Sequence, residues 1–166
     1  GRYAENGIST AYWPVGYAAF LAGVMVLAGS SVLVGQLANL VLSVACLLLL
    51  YRLCIRHFGD CRVATIAVCL FAIYPNHMGY SLGLYTEPLF TTLMLLMWLL
   101  IKPDTPWGRQ IFAGIFAGLA TLVKTQMLLL APLLSFLLSL RNWNQQSAML
   151  ALRQSLLVTV VMVVTI

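Results

Sequence analysis

Residues 31–54 read SVLVGQLANLVLSVACLLLLYRLC. Between Ser31 and Arg52 no charged side chain interrupts the run. A helix of that length is what crossing a hydrocarbon core of roughly 30 Å requires. Polar and apolar residues do not alternate along it as they would in the strands of a membrane barrel.

The rest of the chain repeats the pattern. Of 166 residues, 62% are hydrophobic and 8% charged, and the mean hydropathy is +0.98. A water-soluble domain of this size has no use for so much apolar surface. Apolar runs at about 31–54, 63–80, 87–101, 110–123, 127–140 and from 149 onward predict six membrane-spanning helices. Phe112 to Leu140 also reads as one long tilted helix, but three consecutive polar residues, Lys124, Thr125 and Gln126, favour two helices joined by a turn. Trp13 to Gly29 is apolar but short, contains Pro14, Gly16 and Gly23, and begins among Tyr12, Trp13 and Tyr17, the aromatics of a membrane interface. The expected fold is therefore all-α: a polytopic transmembrane helical bundle of about six spans plus an outer interfacial helix. It forms a single membrane domain over 1–166, with the end of a first outer loop and the interfacial helix in 1–30 and transmembrane helices in 31–166. No internal repeat, low-complexity tract or soluble linker divides it. The chain starts at Gly1 and stops inside the apolar run Leu156–Ile166, which reads as truncation at both ends. No signal-peptide pattern is present.

The nine basic residues outnumber the four acidic ones, a net charge of +5. They stand singly between apolar runs and form no patch for nucleic acid. They read as topology signals: Arg52, Arg56, Arg62, Lys102, Arg109, Arg141 and Arg153 fall on one side of the six-span arrangement, Arg2 and Lys124 on the other. The positive-inside rule makes the first side cytoplasmic. A single helix through Lys124 would separate Arg109 from Arg141 and spoil that asymmetry. Cys46, Cys54, Cys61 and Cys69 lack CxxC spacing and lie in or beside spans, so packing accounts for them better than metal.

In this topology the unusual polar residues gather at the outer ends of the helices. They are Asn76 and His77 after Pro75, then Tyr80, Tyr85, Thr86 and Glu87, then Lys124 and Gln126. Ionisable groups near membrane depth are costly unless they pair or line a wet cavity. Glu87 precedes Pro88 and so reads either as an acidic residue at a helix start or as a carboxylate accepting sugar hydroxyls. Lys124 ends a helix and reads as a snorkelling anchor, or as the cation that, with Gln126, holds a phosphate. A Glu87–Lys124 ion pair serves either role. His77 lies in Tyr74-Pro75-Asn76-His77-Met78-Gly79-Tyr80, between a helix-ending proline and a turn-permitting glycine. A lone histidine is more often a hydrogen-bonded interface residue than a base or ligand. Tyr80 and Tyr85 fit an aromatic belt or a sugar-stacking platform.

Three segments in order resemble the GT-C superfamily of membrane glycosyltransferases, in the branch of protein mannosyltransferases, aminoarabinose transferases and lipopolysaccharide galacturonosyltransferases. Tyr12-Trp13-Pro14-Val15-Gly16-Tyr17 with Phe20-Leu21-Ala22 is similar to the family's proline-glycine-tyrosine segment after the first outer loop, though Val15 and Ala18 stand where prolines are common. Tyr74-Pro75 with Thr86-Glu87-Pro88 resembles the outer loop in which a hydroxyl residue precedes a glutamate. Gly114 and Gly118-Leu119-Ala120-Thr121-Leu122-Val123-Lys124 resembles the glycine-rich helix ending in a basic residue, with Thr125 in place of a frequent proline.

The resemblance implies transfer of a sugar from a polyprenyl-phosphate donor to a lipid, glycan or protein acceptor at the outer face of a bacterial plasma membrane, by direct displacement with inversion. Membrane lipids are the other implied partner. It implies substrate-binding roles for Glu87, Lys124, His77, Tyr80, Tyr85 and Gln126, and an acidic catalytic residue upstream of Gly1; Glu5 matches no acidic motif and is not given that role. No metal site is evident, while a divalent cation is compatible with the family's chemistry. The alternatives are a secondary transporter or lipid flippase, which would favour midplane charges and inverted repeats, and a non-catalytic scaffold.

Overall fold

The computed structural model describes residues 4–5, 8–9, 14–101, 106–139 and 145–166. Arg2, Tyr12, Trp13, Lys102 and Arg141 lie outside these. Two short strands, β1 (Ala4–Glu5) and β2 (Ile8–Ser9), pair antiparallel with Ala4 opposite Ser9. All other regular structure among the described residues is helical: α1 (Val15–Ala28), α2 (Val32–Phe58), α3 (Cys61–Ala72), α4 (Pro75–Leu82), α5 (Glu87–Leu100), α6 (Trp107–Val123), α7 (Met127–Ser139) and α8 (Gln145–Thr165).

Local chemistry sets the boundaries. The Ser31 hydroxyl accepts from the Val34 N–H at 3.3 Å and opens α2. Gly59, at φ +70°, closes it in the left-handed conformation that glycine adopts without penalty. Asp60 then caps α3 by accepting from the Arg62 N–H at 2.7 Å. Pro75 starts α4 at an angle of 62° to α3, because a proline at a helix start has no N–H to continue the preceding ladder.

Side-chain contacts fix how the helices run. Cys46 of α2 meets Thr92 of α5 (3.1 Å), and the Arg56 guanidinium at the far end of α2 donates to the carbonyls of Leu99 and Ile101 at the end of α5. Hence α2 and α5 are parallel, and Arg56 satisfies carbonyls that the last turn leaves without partners. Glu87 at the start of α5 meets Lys124 just after α6, so these two are antiparallel. Arg153 lies 4.5 Å over the Trp107 ring, making α6 and α8 parallel.

Helix α6 is the axis of the packing. Ala113, Ala117 and Ala120 are fully buried, in a core shared with Leu89, Leu93 and Met97 of α5, Met127 and Ala131 of α7, and Val158 and Met162 of α8. Gly114 and Gly118 let α8 approach: a Cβ at either would stand 2.6 Å from Val161 Cβ or Thr165 Cβ. This is the small-residue spacing by which helices pack closely where the hydrophobic effect cannot drive them together.

The six apolar runs are occupied by α2, the α3–α4 pair, α5, α6, α7 and α8, and the break expected at Lys124–Gln126 is present. Lengths are another matter. Among the described residues α2 is the one helix long and apolar enough to cross a membrane by itself, with α3 and α4 a second if the bent pair counts as one span. The 14-residue α5 reaches only about 21 Å. Starts at Pro75, Glu87-Pro88 and after Pro106, and the Lys124–Gln126 turn, shorten the helices relative to the apolar runs. The surface remains oily: Val26, Leu27, Leu129 and Val164 are each more than 80% exposed. In α1 the one hydroxyl is that of Tyr17, and the helix rests on α2 and α6.

Candidate functional site

Because α5 and α6 are antiparallel, the first residue of one lies beside the residue that ends the other. Glu87 opens α5, where unpaired N–H groups favour an anion, and Lys124 ends α6 in an extended conformation (φ −144°, ψ 117°), where a cation is favoured. Lys124 Nζ donates to Glu87 Oε1 at 2.9 Å, and the Thr86 hydroxyl donates to Oε2 at 3.1 Å. The Phe90 ring centre lies 5.6 Å from the ammonium, within reach of a cation–π contact. The two charged side chains are 29% and 30% exposed, wet enough to exchange partners.

Two hollows flank this pair. One, of about 400 Å³, is lined by Pro14, Tyr17 and Ala18 of the α1 region, by Thr86, and by Val123, Lys124, Thr125 and Gln126. The other, of about 130 Å³, is lined by Phe71, Tyr74, His77, Tyr80, Glu87, Pro88 and Thr91. The cation thus borders the first and the carboxylate the second.

Asn39, fully buried in α2, ties the surroundings together. Its Nδ2 lies 2.8 Å from the Gly83 carbonyl, 3.0 Å from that of Tyr85 and 3.1 Å from the Tyr17 hydroxyl oxygen. Two carbonyls at one end of the amide fix which end is nitrogen, since an oxygen there would face two acceptors. The Oδ1 atom is buried and has no hydrogen-bond partner among the described residues. Tyr17 ionises less readily than an ordinary tyrosine: burial is the main cause, the Glu87 charge adds to it, and the Asn39 bond opposes it.

Of the six residues singled out in the sequence, five line one hollow or the other, and Tyr85 lines neither but packs against Tyr80. Lys124 and the exposed Gln126 face the larger hollow; Glu87, His77 and Tyr80 border the smaller one. His77 stacks on Phe71 with ring centres 4.3 Å apart. Tyr85 meets Tyr80 edge-on at 5.2 Å and covers Gly83, where a Cβ would stand 2.3 Å from its ring. Among the described residues no group of three or more His, Cys, Asp or Glu side chains is placed to hold a metal ion.

The sequence model of the family described as dolichyl-phosphate-mannose-protein mannosyltransferase matches residues 13–166. The chain belongs to this family. It is a GT-C-type member of a family of membrane glycosyltransferases. No curated protein and no solved structure matches it. The family match includes Tyr17, Asn39, Glu87 and Lys124.

Sequence reasoning passed over three residues of this candidate site. Asn39 is an amide inside the apolar run 31–54, and that cost alone was a signal for it. Tyr17 counted as an interfacial aromatic, although its hydroxyl is drawn inward by Asn39. Phe90, beside Lys124, has no sequence signal that separates it from its apolar neighbours.

Proposed function

We propose that this chain forms the membrane part of a glycosyltransferase that moves a sugar from a polyprenyl-phosphate donor to an acceptor at the outer face. The observation that carries the reading is the Glu87–Lys124 pair standing between two hollows, in a chain of a mannosyltransferase family. Lys124, with Gln126, is read as the holder of the donor phosphate. Glu87, His77, Tyr80 and Tyr85 are read as the sugar or acceptor side, where carboxylate and hydroxyl groups meet hydroxyl-rich ligands.

In the transfer, an acceptor oxygen bonds to the anomeric carbon, the bond from that carbon to the phosphate oxygen breaks, and the lipid phosphate leaves with the electron pair. The acceptor's proton goes to a carboxylate that we do not assign among the described residues. A fixed ammonium beside the leaving phosphate stabilises charge that grows in the transition state. The apolar outer surface and the alternation of helix direction support a multi-pass arrangement with α1 at the outer interface, and the family's membrane character agrees with it. A bacterial plasma membrane is part of the same reading, as are a lipid, glycan or protein acceptor.

The experiment is transfer of radiolabelled sugar from a polyprenyl-phosphate donor by the full-length protein, with whatever sequence precedes Gly1, in proteoliposomes, comparing wild type with Lys124→Met. Covalent product lost in the variant, with membrane insertion normal, supports the reading. Passage of the lipid or sugar across the bilayer without covalent product would replace it with a transporter or flippase.

A further inference from the structure

Within the Lys124 hollow the charges nearly cancel. Glu87 already takes one N–H of the ammonium, and the Thr86 hydroxyl is spent on the same carboxylate. A phosphate entering there meets an ion pair rather than a free cation, so neutral donors must supply part of its hold. The Tyr17 hydroxyl is such a donor. An amide nitrogen has two hydrogens to give and no lone pair to offer; the shorter contacts to the Gly83 and Tyr85 carbonyls engage both, and the Tyr17 oxygen at 3.1 Å accepts only a shared one. Its own proton is therefore uncommitted, and no other hydrogen bond of this hydroxyl occurs among the described residues. Tyr17 lines the hollow together with Lys124, Thr86 and Gln126.

We propose that Tyr17 is a second phosphate ligand of this hollow, donating its hydroxyl proton to a phosphate oxygen held by Lys124, with Asn39 as the positioning residue that fixes the hydroxyl. Asn39 also binds the Gly83 and Tyr85 carbonyls, so one buried amide sets both the phosphate-side tyrosine and the segment leading to Glu87. The inference rests on the reading of Lys124 as the phosphate site, and adds to it a neutral donor from a different helix.

The test is binding of geranyl phosphate, with geraniol as the uncharged control, to the full chain in nanodiscs, for wild type, Tyr17→Phe and Lys124→Met. Tyr17→Phe removes the hydroxyl alone and leaves Asn39 its two carbonyls. The expected result is a loss of about tenfold or more in affinity for the phosphate, as for a hydrogen bond to a charged group, with geraniol binding and thermal midpoint unchanged. Wild-type phosphate affinity in Tyr17→Phe, together with loss in Lys124→Met, would overturn the role of Tyr17 and leave the Lys124 reading standing. Equal losses for phosphate and alcohol in Tyr17→Phe would also overturn it, making the ring a packing element. If wild type does not distinguish phosphate from alcohol, the phosphate site itself falls and Tyr17 with it.

Discussion

Lys124 Nζ lies 2.9 Å from Glu87 Oε1 across the antiparallel junction of α6 and α5. Each side chain also has a favourable helix end. Partly wet ion pairs contribute only about 0.2–1 kcal/mol. We expect a double-mutant cycle of Lys124→Met and Glu87→Gln, followed by thermal unfolding in detergent, to give a coupling in that range. Sugar transfer in Lys124→Met should fall far more, by about 100-fold, the scale seen when one charge-stabilising donor is removed from a transition state. Parallel losses of stability and transfer would make Lys124 a structural anchor.

Asn39→Leu should be the most damaging change at the site in stability. It leaves the partly buried Gly83 and Tyr85 carbonyls without their donor, which costs up to about 1–3 kcal/mol for each one that water does not reach. The segment from Gly83 to Glu87 should loosen first. Hydrogen exchange at the start of α5, read by mass spectrometry, should rise in the variant while exchange in α6 stays slow. Uniform exchange would place the role of Asn39 elsewhere.

Two glycines of α1 should respond oppositely. A Cβ at Gly16 would stand 2.6 Å from the Leu122 carbonyl carbon, backbone that cannot turn aside, whereas at Gly23 nothing lies within 4 Å. Gly16→Ala should cost about 1–3 kcal/mol by forcing α1 off α6. Gly23→Ala should be neutral or stabilising by up to about 1 kcal/mol through helix propensity. Thermal midpoints of the two variants decide it, and similar values would mean that α1 does not rest on α6 in solution.

The helix order was legible because apolar runs and their breakers act locally: Gly59-Asp60, Pro75, Glu87-Pro88 and Lys124–Gln126 each stop or start a helix by backbone chemistry alone. What stayed hidden depends on contacts distant in sequence. Asn39 reaches Tyr85 across 46 positions, which no spacing rule predicts. Glu87 and Lys124 were both legible as candidates, and their pairing was one of the alternatives. The division of five of the candidates between two hollows, with Tyr85 lining neither, needed the fold.

The Tyr17 hydroxyl should titrate above the ordinary tyrosine value, since burial and the Glu87 charge outweigh the Asn39 bond. A raised folded-state value means that the native state holds the proton more tightly than the unfolded chain. The associated stability is then fully present below about pH 10, the unfolded value, and is lost as the pH rises through the folded one. Ultraviolet titration of wild type against Tyr17→Phe should show one late-ionising tyrosine. Glu87→Gln should bring it down by removing the negative charge. A Tyr17 that titrates with the exposed tyrosines would mean that its hydroxyl is not enclosed.

Cys61 gives a direct test of orientation. It is exposed at the start of α3, between Arg56 and Arg62, whereas Cys46 and Cys54 are buried and Cys69 is exposed on the body of α3. If the basic ends of α2 and α3 face the cytoplasm, a membrane-impermeant maleimide should leave Cys61 unlabelled in sealed cells and modify it after permeabilisation. If α3 crosses the membrane as proposed, Cys69 faces hydrocarbon and should resist in both cases, because the reagent needs a hydrated thiolate. Peptide mapping by mass spectrometry distinguishes the sites. Labelling of Cys61 in sealed cells would reverse the arrangement, placing Glu87 and Lys124 at the cytoplasmic face. The proposed transfer at the outer face would then be excluded, whatever the two residues bind.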